Sequence, residues 1–286
     1  MDEDAARAAH REAGALIDER KFRDAIEPAG RVCQLCPDWA AGWFNYAIAL
    51  KHGHRWADCL AACDRAIELD PSDAGGMHWN AGISATALGD WKRARAAWTA
   101  YGVTLPDGDG PIEMKLGTTA LRVSLDAEPE VVWGTRLDPC RIRIVTVPLP
   151  ESKRCYGDLV LHDGESRGKR MLGEQEVPVF DELVVLEKSA YGTWSVEATC
   201  ASADERDALI ALFDDVDGAI EDWTESIVML CSACSLGTPH EHHERDTSWK
   251  PERTIGLALR DERDLKRLRR AGLFWRKGIR NVARVL

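Results

Sequence analysis

No apolar run in this chain of 286 residues approaches the ~20 needed to cross a bilayer, so no membrane span is expected. The opening MDEDAARAAH lacks the basic-then-apolar order of a secretory leader, and the expected location is cytoplasmic. Nine cysteines, an odd number spread along the chain, do not form a disulfide framework; they read as reduced thiols and metal ligands. Cations are in deficit: 37 Lys and Arg stand against 48 Asp and Glu, a formal net charge of −11 that argues against general binding to phosphate backbones. Also missing are the phosphate-cradling G-x-x-x-x-G-K-[ST] loop, a G-x-G-x-x-G turn after a strand and the G-x-S-x-G nucleophile elbow. The reading therefore leans away from an enzyme, and no catalytic residue is assigned. What remains, 45% apolar and 30% charged, is the composition of a soluble globular protein long enough for two cores.

The first hundred residues are periodic. Segments 22–37 (FRDAIEPAGRVCQLCP), 56–71 (WADCLAACDRAIELDP) and 91–106 (WKRARAAWTAYGVTLP) each open on an aromatic residue. Each has a small residue three positions later (Ala25, Cys59, Ala94) and a proline fifteen positions later. Upstream of each aromatic lies another helix-length stretch, so each unit is expected to be a helical hairpin. Ala13, Ala47 and Gly82 would allow its two helices to approach, and the proline would end the second helix. Cys59 and Cys63, four apart on a second helix, read as buried thiols. Cys33 and Cys36 have no partner pair nearby, and a helix end is their expected setting.

The WFNYA stretch at 43–47, the aromatic opening each second helix and AIELDP at 66–71 make this region similar to the tetratricopeptide repeat (TPR) family, as three units over residues 6–107. In that family the first helices of successive repeats line a concave groove that holds a partner's peptide or helix. The resemblance places Arg11, Phe44, Asn45, Lys51, Trp79 and Asn80 in the groove as candidate partner-binding residues, with His10, Ile48, His52 and Ile83 beside them. Asn45 and Asn80 hold equivalent positions, where an amide serves either a bound backbone or a neighbouring helix.

A helical-repeat domain over 1–107 and a linker over 108–118 lead to an α+β domain over 119–286. Its first part, 119–190, is β-rich, with strands expected at 121–125, 140–147, 158–162 and 182–187 in a mainly antiparallel sheet or small barrel. From 191 to 286 the order strand, helix, strand, insert, strand, helix, strand suggests a ferredoxin-like unit with a Cys/His insert over 231–250. The fold class is thus α followed by α+β. Eight Lys and Arg and no acid follow from Lys266 onward, but a helix over 261–272 with acids first and bases last accounts for four of them, so nucleic acid is not an expected partner. His162 and Asp163, near a hairpin, read as surface groups.

The insert carries CSACSLGTPHEHHE at 231–244. A C-x-x-C turn offers two sulfurs to one ion, and Gly237 and Pro239 allow the chain to bring imidazoles back toward it. Cys231, Cys234 and His240 with His243, or His242 in its place, form a candidate zinc site; sulfur with imidazole selects zinc over magnesium or calcium. The H-E-x-x-H and deaminase patterns both fail here, and two Cys with two His close the coordination sphere, so the zinc is expected to be structural. These observations suggest an intracellular protein–protein interaction protein whose groove takes a protein or peptide. The alternative is a zinc-dependent hydrolase whose repeat domain recruits substrate. Heavy use of alanine, arginine and tryptophan suggests a bacterial source.

Overall fold

The computed structural model describes residues 2–125, 129–214, 216–226, 248–266 and 279–286. The chain divides into two compact units, Met1–Met114 and Lys115–Leu286.

The first unit is built from six helices: α1 (Glu3–Asp18), α2 (Phe22–Leu35), α3 (Ala40–His52), α4 (Trp56–Leu69), α5 (Gly75–Ala87) and α6 (Trp91–Tyr101). The repeated aromatics Phe22, Trp56 and Trp91 are the first residues of α2, α4 and α6, as the sequence period requires. Each hairpin turns through a left-handed residue at the same place, Arg20 (φ 60°), His54 (φ 57°) and Gly89 (φ 70°). The same bond closes each turn: Lys21 N donates to Leu16 O, Arg55 N to Leu50 O and Asp90 N to Ala85 O. Only in the third turn is the left-handed residue itself the glycine that sequence rules look for; in the second, Gly53 sits one place earlier with a negative φ.

Small residues set the helix spacing. Ala13 and Ala47 have no exposed surface, and a methyl group at Gly82 would stand 2.6 Å from the ring of the fully buried Trp98 on α6. Gly82→Ala is therefore expected to cost about 1–3 kcal/mol through overpacking, read as a lower midpoint in urea followed by helical circular dichroism. Cys59 and Cys63 face inward as expected, in a core with Leu50, Ala62, Met77 and Ala81.

The second unit opens with a closed five-stranded barrel of β1 (Thr118–Val123), β2 (Glu130–Arg136), β3 (Arg141–Ile144), β4 (Leu159–Leu172) and β5 (Gln175–Glu187). Neighbours pair antiparallel except at closure, where β1 and β5 run parallel with Leu121 opposite Phe180. Alternate residues fill the interior: Leu121, Val123, Val132, Ile142, Ile144, Val160 and Phe180. The expected strands are present, but β2 has no counterpart in the sequence reading, and β4 and β5 run well past 162 and before 182. The added length is a two-stranded arm whose residues are largely exposed on both faces, from Glu165 to Leu172, so no alternation marks it.

A four-stranded antiparallel sheet follows, formed by β6 (Gly192–Thr199), β7 (Gly218–Asp222), β8 (Glu252–Leu259) and β9 (Ile279–Arg284) in the order β7-β8-β6-β9. Helix α7 (Ala203–Ala211) links β6 to β7 and packs Leu209, with Phe213 beyond its end, onto Trp194, Val196, Ile255 and Leu257. The other face meets the barrel. Trp223, in a short helical turn after β7, donates its indole N–H to Val147 O at 2.8 Å. Its ring lies so close over Gly256 that a methyl there would be 2.2 Å away.

The reading of His162 and Asp163 as surface groups is overturned: they are 0% and 5% exposed. β4 turns them away from water, and His162 N donates to Cys140 O in the ladder with β3.

Candidate functional site

Helices α1 and α3, and α3 and α5, pack directly, whereas α2 and α4, and α4 and α6, barely meet. The first helices therefore converge and the second helices splay, which makes the α1/α3/α5 row the concave side of the array.

The residues expected along that row fall into two groups. Lys51 and Asn80 are brought together: both are buried, and Lys51 Nζ donates to Asn80 Oδ1 at 2.9 Å across the α3–α5 seam. Ile83 is buried beside them on α5. Arg11 is exposed on α1, Phe44 keeps 37% of its surface exposed, and Asn45 is half-buried. The Phe44 ring covers Gly76 at the start of α5, where a methyl would come within 3.3 Å of it. The Asn45 amide reaches toward Gly14 on α1. Trp79 turns the other way, edge-on to Trp98 at 4.9 Å and Tyr101 at 4.8 Å on α6.

At the α1 end of the row, His10 lies against Trp39 with ring centroids 4.4 Å apart; burial lowers its pKa, and its Nδ1 has no partner. His52 stacks on Phe22 at 3.7 Å. Trp39, just before α3, was missed by the sequence reading. Trp39 stands at the N-cap of α3 with extended backbone, so no helical period marks it.

In the second unit the candidate zinc ligands Cys231, Cys234, His240, His242 and His243 lie outside the described residues. Among the described residues no group of three or more His, Cys, Asp or Glu is placed to hold a metal ion. The two stems that lead to that segment are tightly tied. Trp249 Nε1 donates to Cys200 O at 2.9 Å, and the Arg253 guanidinium sits 3.8 Å over the Trp249 ring. Arg253 also pairs with Asp222 at 3.2 Å, Arg206 pairs with Glu225, and Thr254 N donates to Thr224 Oγ1 at 2.7 Å.

The barrel holds charges that the sequence did not reveal as buried. Arg122 meets Asp181 at 2.6 Å, Arg141 meets Asp138 at 2.6 Å, and Arg154 pairs with Glu182. His162 Nδ1 lies 2.9 Å from Asp163 O; a carbonyl only accepts, so the proton is on Nδ1 and the unpartnered Nε2 carries the lone pair. Burial pushes the His162 pKa down to about 3. At the junction with the four-stranded sheet, Glu130 accepts from Leu149 N at 3.1 Å and Glu221 accepts from Val147 N at 2.8 Å. Burial, with the neighbouring Glu221 and Glu151 charges, raises Glu130 to about 7 against the pull of the Leu149 amide.

Comparison with solved structures finds TPR structures similar to the helical part of the chain. The TPR2B domain of yeast Sti1 in complex with pHsp70 is 22% identical over 34% of this chain and 77% of that one, with a TM-score of 0.32. The TPR2AB domain of yeast Sti1 in complex with pHSP90 is 21% identical over 35% of this chain and 39% of that one, with a TM-score of 0.33. A MamA double mutant is 20% identical over 34% of this chain and 53% of that one, with a TM-score of 0.32. No protein-family model and no curated protein sequence matches the chain. No helix among the described residues is long and apolar enough to cross a membrane.

Proposed function

We propose that the protein is an interaction module whose α1/α3/α5 surface takes a peptide segment of a partner protein. The observation that carries this reading is the convergence of those three helices, with Phe44 left 37% exposed at the middle of the row. An exposed phenylalanine flanked by the half-buried Asn45 amide and, on the next helix, the Arg11 cation offers an apolar contact, a backbone partner and a charge to one extended ligand. Lys51 and Asn80 act from below, fixing the distance between α3 and α5. Peptides selected on the full-length protein should lose at least tenfold in affinity on Phe44→Ala and on Arg11→Ala.

The second unit supplies the companion surface. The sheet places the second, third, first and fourth strands side by side, with α7 crossing between the first two, and that order supports a ferredoxin-like unit. Cys231, Cys234, His240 and His243 would close a structural zinc site on the segment between the two tied stems. Zinc there would pin the segment and leave no open position for an activated water. Protein purified from zinc-replete cells should contain one zinc per chain, measured by inductively coupled plasma mass spectrometry, and Cys231→Ser should remove it and lower the melting temperature. A full zinc complement in Cys231→Ser protein would contradict the site.

A further inference from the structure

One end of the barrel interior is polar where the rest is apolar. Arg136 stands opposite Ile142 across β2 and β3, and Cys140 and His162 lie two places beyond the inward-facing Ile142 and Val160. Alternation therefore directs all three side chains into the barrel. His162 N donates to Cys140 O at 2.8 Å, which sets the imidazole and the thiol on the same face of neighbouring strands. The Arg136 guanidinium donates through a terminal nitrogen to Pro139 O at 2.8 Å, one residue from Cys140. It also lies 4.8 Å from the centroid of the Phe180 ring, against which His162 packs at 4.5 Å.

Two groups in this layer have opposite needs. His162 has no exposed surface, and its Nε2 lone pair meets no donor. Arg136 is half-buried, its buried Nε–H meets no acceptor, and among the described residues no carboxylate bonds to it; burial lowers its pKa. Asp138, in the same turn, is taken up by Arg141 Nε at 2.6 Å and by the amides of Cys140 and Arg141 at 2.9 and 2.8 Å. Buried cations are as a rule paired and buried polar atoms bonded, so a cation and a lone pair left over at one end of a barrel point to a ligand.

The chemistry of the two groups selects that ligand. The guanidinium repels a metal ion and attracts an anion. The neutral imidazole, with its proton held on Nδ1 by Asp163 O, offers only a lone pair at Nε2, which a fully ionised anion would meet with a lone pair of its own. An anion that still carries a proton satisfies both. We propose that Arg136 and His162 form a site for a small protonated oxyanion, hydrogen phosphate or bicarbonate, which accepts from Arg136 Nε and donates its own O–H to His162 Nε2. Sulfate, fully ionised at pH 7, lacks that donor and would leave the histidine unbonded.

The test is calorimetric titration of the full-length protein at pH 7, in a buffer free of oxyanions, with sodium phosphate, sodium bicarbonate and sodium sulfate at matched ionic strength. Phosphate or bicarbonate should bind at one ion per chain and at least tenfold more tightly than sulfate. Arg136→Met should abolish that binding. His162→Phe, which keeps an aromatic ring and loses the lone pair, should remove the preference over sulfate. Sulfate bound as tightly as the better of the other two, no binding of either by the folded parent, or an unchanged preference in His162→Phe overturns the site. The comparison of ions on the parent needs no substitution, so it decides the matter even if a variant fails to fold.

Discussion

Asp181→Ala is expected to destabilise the second unit by about 3–5 kcal/mol, the cost of leaving a buried charge without its partner. Asp181 accepts from Arg122 through Nε at 2.8 Å and through a terminal nitrogen at 2.6 Å, with the two side chains 4% and 10% exposed. Arg167 approaches the second carboxylate oxygen at 3.7 Å. The pair spans β1 and β5, the parallel seam that closes the barrel, so its loss acts where the sheet must join its own first and last strands. Removing both charges is a different matter: Arg122→Met/Asp181→Leu should recover most of the loss, because two well-packed apolar side chains replace the pair without stranding either charge. Urea denaturation of the single and double variants checks this. A single variant as stable as the parent, or a double variant as weak as the single, would contradict it.

The second large effect is on acid stability, where two buried groups oppose one another. His162 titrates at about 3 in the folded chain against an ordinary value of 6.5, so below pH 6.5 the unfolded chain binds the extra proton and stability falls with pH until about 3. Glu130 titrates at about 7 against 4.5, so between those values the folded chain holds the extra proton and stability rises as pH falls. The histidine shift corresponds to on the order of 5 kcal/mol and the glutamate shift to on the order of 3 kcal/mol. From pH 6.5 to 4.5 the two slopes largely cancel; below 4.5 only the histidine acts, and stability should drop steeply. In His162→Gln the chain should instead gain stability on acidification from pH 7 to 4.5, and in Glu130→Gln it should lose it over that range. Urea midpoints at pH 7, 5.5, 4.5 and 3.5 separate the three curves, and identical curves for parent and variants would refute the assignment.

The helical repeat was legible because its signals are local. An aromatic that starts each second helix and small residues at the close crossings lie within one unit, and three copies reinforce one another. What the repeat did not show is which groove residues are spoken for. Lys51 and Asn80 look like solvent-facing polar groups in sequence, yet they bond to each other under the surface, because a long side chain on α3 reaches the amide one helix away. Trp79 has room to fold onto Tyr101 and Trp98.

The second unit was less legible for a different reason. Burial of charge depends on partners distant in sequence: Arg122 and Asp181 are 59 residues apart, and nothing near either announces the pair. His162 was misread on the same ground, since only the closure of the barrel encloses it. The arm of β4 and β5 escaped because exposed strands need no alternation, while β2, mostly half-buried along its length, gave too weak a pattern. The sheet strands β6 and β8 were visible because one face is solidly apolar.

The account turns on the concave row being the surface that recognises another chain. The most direct measurement is the affinity of peptides, selected from a random library on the full-length protein, for the parent and for Phe44→Ala, Arg11→Ala and a control at Met171 on the β4–β5 arm, 58% exposed. The account predicts a loss of at least tenfold for the first two and no change for the third. Peptides that bind the parent and both groove variants equally would place recognition elsewhere on the molecule.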